Sequence, residues 1–169
     1  MSSFQDVLDN VAKVIGGTAP SANTPRWFSG QSTGDGTGIK TPVAINGCYS
    51  TVPPGSLSAD PPYGFLVLDH FQIPYLLTQG GELTEDFVRL VIVVPANDPE
   101  TQVANLMGFR DAVPIALQAH MTAYASLNVL DVYPASGKFG QYHTPGGAAL
   151  PSVEFMLRIR RYTAVTYTP

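Results

Sequence analysis

The side chains that could carry chemistry are few and lie far apart in the sequence. The three histidines are His70, His120 and His143, and the only cysteine is Cys48. A zinc site needs three or four such ligands at recognisable spacing, and no HxH or HxxxH pair occurs. His70 follows Asp69, and on a strand we expect these two side chains to point to opposite faces. Cys48 has no histidine near it in sequence, so we expect an inert, buried thiol.

A glycine-rich stretch and a basic cluster are the remaining candidates. GDGTG at Gly34–Gly38 lacks the Gly-Lys-Ser/Thr ending of a phosphate-binding loop, and we interpret it as a flexible loop. Arg158, Arg160 and Arg161 are three of only nine lysines and arginines. They form either a solvated strand face or assembly contacts to acidic neighbours or to nucleic acid passing nearby. We predict no catalytic residue, no metal ligand and no cofactor, so the protein is not expected to be an enzyme.

The composition favours a protein whose surface is covered by partners. Charged residues make up only 13% of the 169 residues, whereas globular proteins contain roughly 25%. Obligate interfaces are depleted in charge, although a polar surface of Ser, Thr and Gly explains the same figure. The net charge of −4 provides no basic field for nucleic acid. No apolar run reaches the roughly 20 residues of a membrane span, and the N-terminus does not resemble a signal peptide.

Two helices are predicted. Phe4–Ile15 is amphipathic, can be capped by Ser2 or Ser3, and is expected to dock on the core of its own domain rather than on a neighbouring subunit. A longer helix starts at Pro99, where Asn97 or Asp98 supplies the cap. Its apolar residues at helical spacing, which we expect to face the core, are Val103, Leu106, Met107, Val113, Leu117 and Met121. The polar Asn105 is expected on another side of this helix.

The strands complete an α+β fold, with a mostly antiparallel sheet against which the long helix and the short N-terminal helix pack. The predicted strands are Phe65–Phe71, Phe87–Val94, Leu127–Tyr133 and Val153–Thr163, with short candidates at Arg26–Phe28 and Pro42–Ile45. Gln79–Gly81 is the expected turn of a hairpin, and Gly137–Ala149 is expected to be a loop. We predict a single α+β domain over residues 1–169. Residues 17–62 form a long Pro/Gly-rich arm or set of extended loops, and residues 63–165 form the core.

The second half of the chain has the sequence form of a known family. FVRLVIVVPANDPETQVANLMGFRDAVPIALQAHM is a strand, a proline corner and a long helix, and LPSVEFMLRIRRYT is a final strand. This pattern resembles the tail terminator (tail completion) proteins of long-tailed bacteriophages over roughly residues 63–165. The likeness lies in the order and character of the elements rather than in a catalytic motif. Residues 17–62 depart from the family by being longer and richer in proline.

The resemblance implies a structural virion protein of the tail or neck, assembled in the host cytoplasm. Such proteins form a ring, usually a hexamer, at the head-proximal end of the tail tube. The ring ends tube polymerisation and joins the tail-tube protein to the head-closure or connector proteins. DNA passes through its lumen without sequence-specific binding, and no membrane is involved. The alternatives are another head–tail connector or tail-tube subunit, a small-molecule-binding domain, and an enzyme whose site forms only in the folded chain.

Overall fold

The sheet confirms the predicted α+β fold. The computed structural model describes residues 3–16, 45–51, 60–77, 81–119 and 127–164. The elements are α1 (Phe4–Ile15), β1 (Gly47–Tyr49), β2 (Tyr63–Leu77), β3 (Gly81–Val93), α2 (Pro99–Ala119), β4 (Val129–His143) and β5 (Ala149–Ala164). The five strands lie in the order β1-β2-β3-β5-β4. Only β1 and β2 are parallel, and every other neighbouring pair is antiparallel.

The two faces of the sheet differ in what covers them. On the face that we call the helix face, α1 and α2 pack on alternate residues of the strands, which is the pattern that buries one side of a pleated strand. Its buried strand residues include Leu66, Val88, Leu90, Ile92, Val132, Phe155, Leu157 and Ile159. The other side, the second face, carries a smaller cluster of Tyr63, Phe65, Val91 and Val93. In that cluster the Tyr142 ring of β4 lies 5.1 Å from the Phe65 ring.

Helix α1 has the predicted bounds and docks on its own domain. The Ser3 hydroxyl accepts a hydrogen bond from the Asp6 amide at 3.2 Å, and the Asp6 carboxylate accepts one from the Ser3 amide at 2.6 Å. This reciprocal pair is a capping box, which satisfies two backbone donors at the start of the helix. Val11 and Ile15 are fully buried in the core.

The end of the predicted loop region belongs to the same core. Ile45 and Cys48 are fully buried beneath α1, and Gly47–Tyr49 pairs with the start of β2. Of the two short strands predicted in residues 17–62, Arg26–Phe28 lies outside the described residues. Residues 42–44 of the other also lie outside them, and the observed strand begins two residues after Ile45.

Helix α2 starts as predicted but buries a different side. The Asp98 carboxylate accepts a hydrogen bond from the Thr101 amide at 3.0 Å, and Pro99 is the first helical residue. The buried positions are Asn105, Phe109, Ala112, Val113, Ala116 and Leu117. The predicted stripe is therefore wrong at Val103 and Met107, which are 55% and 40% exposed, and in leaving Asn105 outside. Its last member, Met121, lies outside the described residues. Apolar residues occur all around this helix, so the sequence allowed two faces and the core selected that of Phe109.

Strand β4 is longer than predicted. It was expected to end at Pro134 and to give way to a loop at Gly137, but it pairs with β5 up to His143. A bulge between Pro134 and Ser136 accommodates the missing amide donor, which an edge strand tolerates. A Cβ on Gly137 would lie 3.0 Å from the Glu154 carbonyl oxygen, so glycine fits this close approach. The chain reverses at residues 144–148, where Gly147 has a φ of +84°.

Both ends of the sheet have a free edge within the described residues. The short strand β1 pairs only with Tyr63–Phe65, so the rest of β2 lacks a neighbour on that side. No described strand pairs with the outer edge of β4. Each edge contains one proline, Pro74 or Pro134, at an interruption of the ladder. Prolines and bulges are features that restrict the pairing of edge strands.

Candidate assembly surface

A groove of about 870 Å³ runs between α2 and the edge strand β4. The helix contributes Arg110, Pro114 and Gln118, which lie one turn apart and so line one wall. The floor and opposite wall come from β4 and β5, through Leu130, Asp131, Val132, Tyr133, Pro134, Ser136, Gly137, Lys138, Phe139, Val153, Phe155 and Arg158. Most of this lining is apolar, although the groove is open at the surface.

Large apolar side chains form the rim of the groove. Leu130, Tyr133 and Phe139 are 54%, 57% and 49% exposed. Clustered exposed apolar groups are uncommon on a monomer and mark sites where proteins or ligands bind. Ile115, on α2 beside the groove, is also 42% exposed. The groove is therefore the described surface best suited to a contact.

The charged groups in the groove are mostly paired. A guanidinium nitrogen of Arg110 lies 2.6 Å from the Asp111 carboxylate, and Lys138 Nζ lies 3.3 Å from the Glu154 carboxylate. Arg158 has no ion pair among the described residues, and its buried Nε has no hydrogen-bond partner. A ligand or partner in the groove would therefore find one unpaired cation.

The three arginines of the predicted cluster, Arg158, Arg160 and Arg161, lie in different environments. On the second face, Arg160 donates from Nε to the Asp131 carboxylate at 2.7 Å, and this hydrogen bond and charge raise the pKa of Arg160 above its ordinary value. On the helix face, Arg161 donates from Nε to Asp86 at 2.8 Å, beneath the Phe4 ring. Of the three arginines, only Arg158 lines the groove.

The second face also contains buried polar atoms that make no hydrogen bond within the described residues, although Arg89 Nε and Glu154 Oε2 belong to the ion pairs with Asp69 and Lys138. They are Arg89 Nε, Asp131 Oδ1, Ser152 Oγ, Glu154 Oε2 and Arg158 Nε. The strand register places these five side chains on the same face, because residues directly opposite each other in neighbouring strands share a face. Buried polar groups are normally hydrogen-bonded, so contacts of this face with water or another chain would supply what they lack.

The opposite edge of the sheet, along β2, is also apolar. Leu68, Phe71 and Ile73 are 62%, 67% and 50% exposed. Leu68 pairs in register with Val88, and Phe71 pairs with Asp86, so both side chains lie on the helix face. The structure thus brings exposed apolar groups to both ends of one sheet.

The expectation that Asp69 and His70 point to opposite faces is wrong. A bulge between Leu68 and His70 breaks the alternation, and His70 Nδ1 lies 2.6 Å from the Asp69 carboxylate. The His70 ring stacks on Phe87 with centroids 4.3 Å apart, and Arg89 Nε lies 3.4 Å from the same carboxylate. This arrangement is exposed and contains no nucleophile among its members.

The other candidate chemical groups are separated in space. Cys48 is fully buried, and burial raises the pKa of its thiol well above the usual range. His143 lies at the exposed end of β4, while His120 and GDGTG lie outside the described residues. Within the described ranges, no three His, Cys, Asp or Glu side chains are grouped to hold a metal ion. None of the described helices is long and apolar enough to cross a membrane.

Comparison with known proteins gives no family assignment. No family model matches the chain, and no curated protein matches it. The sequence had not indicated the groove, because it depends on the distance between α2 and β4. The sequence feature that could have suggested the groove is the excess of apolar residues around α2. They cannot all face the core, and Ile115 is one that remains exposed.

Proposed function

We propose that the chain is a non-enzymatic subunit of a homo-oligomeric ring at the head-proximal end of a bacteriophage tail tube. There it ends tube polymerisation and joins the tail to the head-closure proteins. The sequence resemblance over residues 63–165 suggests this role, and the low charge content agrees with a subunit that is covered on several sides.

The observation that carries the proposal is the pair of edges at opposite ends of one sheet that no other described strand covers. The helices cover a single face, so copies placed side by side can keep their helices on one side and their second faces on the other. Such a head-to-tail contact uses two different patches, and it forms a ring when the rotation between neighbours closes. Both patches carry large exposed apolar side chains, represented by Phe71 at one edge and Phe139 at the other.

In this arrangement the second face lines the lumen. Its charges are largely neutralised by neighbours, as in Arg160 with Asp131, Lys138 with Glu154 and Arg89 with Asp69. DNA is held where cations replace its counterions, so a wall of paired charges offers little to retain it. A neutral wall therefore suits a conduit through which DNA must slide.

The direct test has two parts. The native mass is measured by light scattering at several concentrations with imaging of each peak, and the protein is added to purified tail tubes that are still elongating. We expect closed rings, or caps on tube tips that stop elongation. A protein that forms no ring and leaves elongation unchanged contradicts the proposal.

A small-molecule-binding role is the second candidate, and the groove supports it. Its volume of about 870 Å³ falls within the roughly 300–1,000 Å³ of typical ligand sites. This function predicts a monomer or dimer whose melting temperature rises with a ligand. A screen of amphipathic anions, which suit the unpaired Arg158, is the appropriate measurement, with Arg158→Ala as the control.

A further inference from the structure

We propose that the partner of the groove is the β2 edge of a second copy, which inserts Leu68 and Phe71 between α2 and β4. This contact deepens the proposed ring and rests on it, because it specifies the two surfaces that join neighbouring subunits. The inference follows from the register of the sheet, the directions of its strands and the chemistry of its two edges.

The register places the two edges at the same level. Following the paired residues across the sheet, one row runs Leu68, Val88, Leu157, Pro134. The next row on the helix face runs Phe71, Asp86, Ile159, Val132. Both rows therefore end on residues that line the groove. A neighbour placed beside β4 without displacement along the strands brings its own Leu68 level with Pro134 and its Phe71 level with Val132.

The exposed side chains of β2 also lie on the face of the sheet that this contact requires. Leu68 and Phe71 lie on the helix face, which by register is also the face of Val132, Pro134 and Phe139 in the groove. Lateral repetition of the sheet keeps the helix faces on one side. The two exposed side chains of one copy therefore point toward the space beneath α2 of the next copy.

The directions of the strands also allow β2 of one copy to pair with β4 of the next. Strands β2 and β5 run in one direction, and β3 and β4 run in the other. A copy in the same orientation therefore lays its β2 antiparallel to β4 of its neighbour. This continues the alternation of the existing sheet, in which antiparallel pairs can form without a crossover connection.

The charges of the two edges are compatible. The β2 strand carries one acid, Asp69, and no lysine or arginine between Tyr63 and Leu77. The groove lining contains the cations Arg110, Lys138 and Arg158 and one acid, Asp131. Arg158 is the cation without an ion pair among the described residues, and its side chain lies on the second face, as does Arg89, the partner of Asp69. Opposite charges at two apolar patches favour this pairing over the pairing of either edge with itself.

Two variants separate the surfaces. The edge variant Leu68→Glu/Phe71→Glu keeps the groove, and the groove variant Leu130→Glu/Phe139→Glu keeps the edge. All four side chains are about half exposed or more, so both variants are expected to fold, which circular dichroism checks. Val103→Glu, at an equally exposed site on α2 that does not line the groove, is the control and should assemble like the wild type.

Mixing tests whether the contact is head-to-tail. Each variant alone should remain a monomer, whereas an equimolar mixture should give a species of twice the subunit mass and no ring. In that complex the intact edge of one subunit occupies the intact groove of the other. A mixture that stays monomeric, or a control that also loses assembly, overturns the inference.

Disulfide cross-linking tests the same contact in assembled rings or on tube tips. In a Cys48→Ala background, chains with both Leu68→Cys and Pro134→Cys, which the register places level on the helix face, should give a ladder of covalent oligomers on oxidation. Chains with either cysteine alone should give none. Covalent dimers from chains with a single cysteine would indicate a self-contact and would overturn the inference. The absence of a ladder when the double-cysteine chains assemble into rings like the wild type would overturn it too. If the wild type neither assembles nor caps tubes, the proposed function itself fails, which the previous test establishes separately.

Discussion

The guanidinium of Arg161 joins three elements through its contact with Asp86. Its Nε donates to the Asp86 carboxylate at 2.8 Å, and both side chains are largely buried, at 19% and 10% exposure. The Phe4 ring of α1 lies 4.5 Å from the guanidinium carbon. The pair therefore links α1 to β3 and β5.

Removing the cation should destabilise the fold. Arg161→Met retains the apolar stem but leaves the Asp86 carboxylate buried without its partner, which typically costs about 3 kcal/mol. We expect this loss in the free energy of unfolding in urea. Arg158→Met, on the same strand, breaks no described ion pair and should cost about 1 kcal/mol or less. The double variant Arg161→Met/Asp86→Leu should recover much of the loss, and equal stability of Arg161→Met and the wild type would contradict this role.

The orientation of α2 can be tested by three truncations. Phe109 is fully buried, so Phe109→Ala should lower the free energy of unfolding by about 3–5 kcal/mol. Val103→Ala, at a 55% exposed site, should change it by no more than about 0.5 kcal/mol. Leu106 packs on the margin of the core, so Leu106→Ala should fall between them. Thermal or chemical denaturation with the order reversed would show that Val103 faces the core.

The cap of α2 should make stability depend on pH in the acid range. Hydrogen bonds from Thr101 lower the pKa of Asp98 below its ordinary value of 3.8. The cap therefore contributes its full stability above that value, and the contribution is lost as the pH falls through the lower folded pKa. We expect the difference in unfolding free energy between the wild type and Asp98→Ala to vanish in acid. Asp98→Asn keeps a capping oxygen that does not titrate, so it should remove this pH dependence.

The close packing of α1 against β1 can be tested through the chemical reactivity of Cys48. A Cβ on Gly16 would lie 2.9 Å from Ile45 Cγ2 and 3.3 Å from the Cys48 amide nitrogen. Overpacking of this kind costs about 1–3 kcal/mol. Because burial raises the pKa of the Cys48 thiol, iodoacetamide should label the native protein very slowly, and Gly16→Ala should accelerate labelling. Gly146→Ala is the matched control, since its Cβ would meet only Thr144 Oγ1 at 3.8 Å. Equal labelling of the two variants, followed by mass spectrometry, would argue against the close contact.

Local signals allowed the prediction of α1, the β2–β3 hairpin and β5. In α1 and β5 the apolar periodicity matched the buried face, and α1 also has its predicted cap. The pairing of β2 with β3 is as predicted, while residues 78–80 of the expected turn lie outside the described residues. The end of β4 was missed because glycine-rich GKFGQYHT has low strand propensity, and its pairing with β5 overrides that propensity. The face of α2 was missed because exposed Val103 and Met107 are as apolar as residues of the core. The groove could not be predicted because it depends on the distance between α2 and β4 in the folded chain. The proximity of Asp69 to His70 could not be predicted because no residue type in the sequence indicates the bulge between Leu68 and His70.

The prolines in the two edge strands have a consequence for the timing of assembly. Pro74 and Pro134 each lie at an irregularity of their strand, which bends the edge that a stray strand would extend. Two free copies would therefore be joined by side-chain contacts more than by a continuous backbone ladder, so a pair forms only at high subunit concentration, and indefinite stacking into fibres is disfavoured. A subunit in a closed ring has both edges occupied, whereas a subunit in an open pair has only one. In the proposed ring, a dilute pool of subunits would stay dispersed until a template holds several together, and closure would then be cooperative.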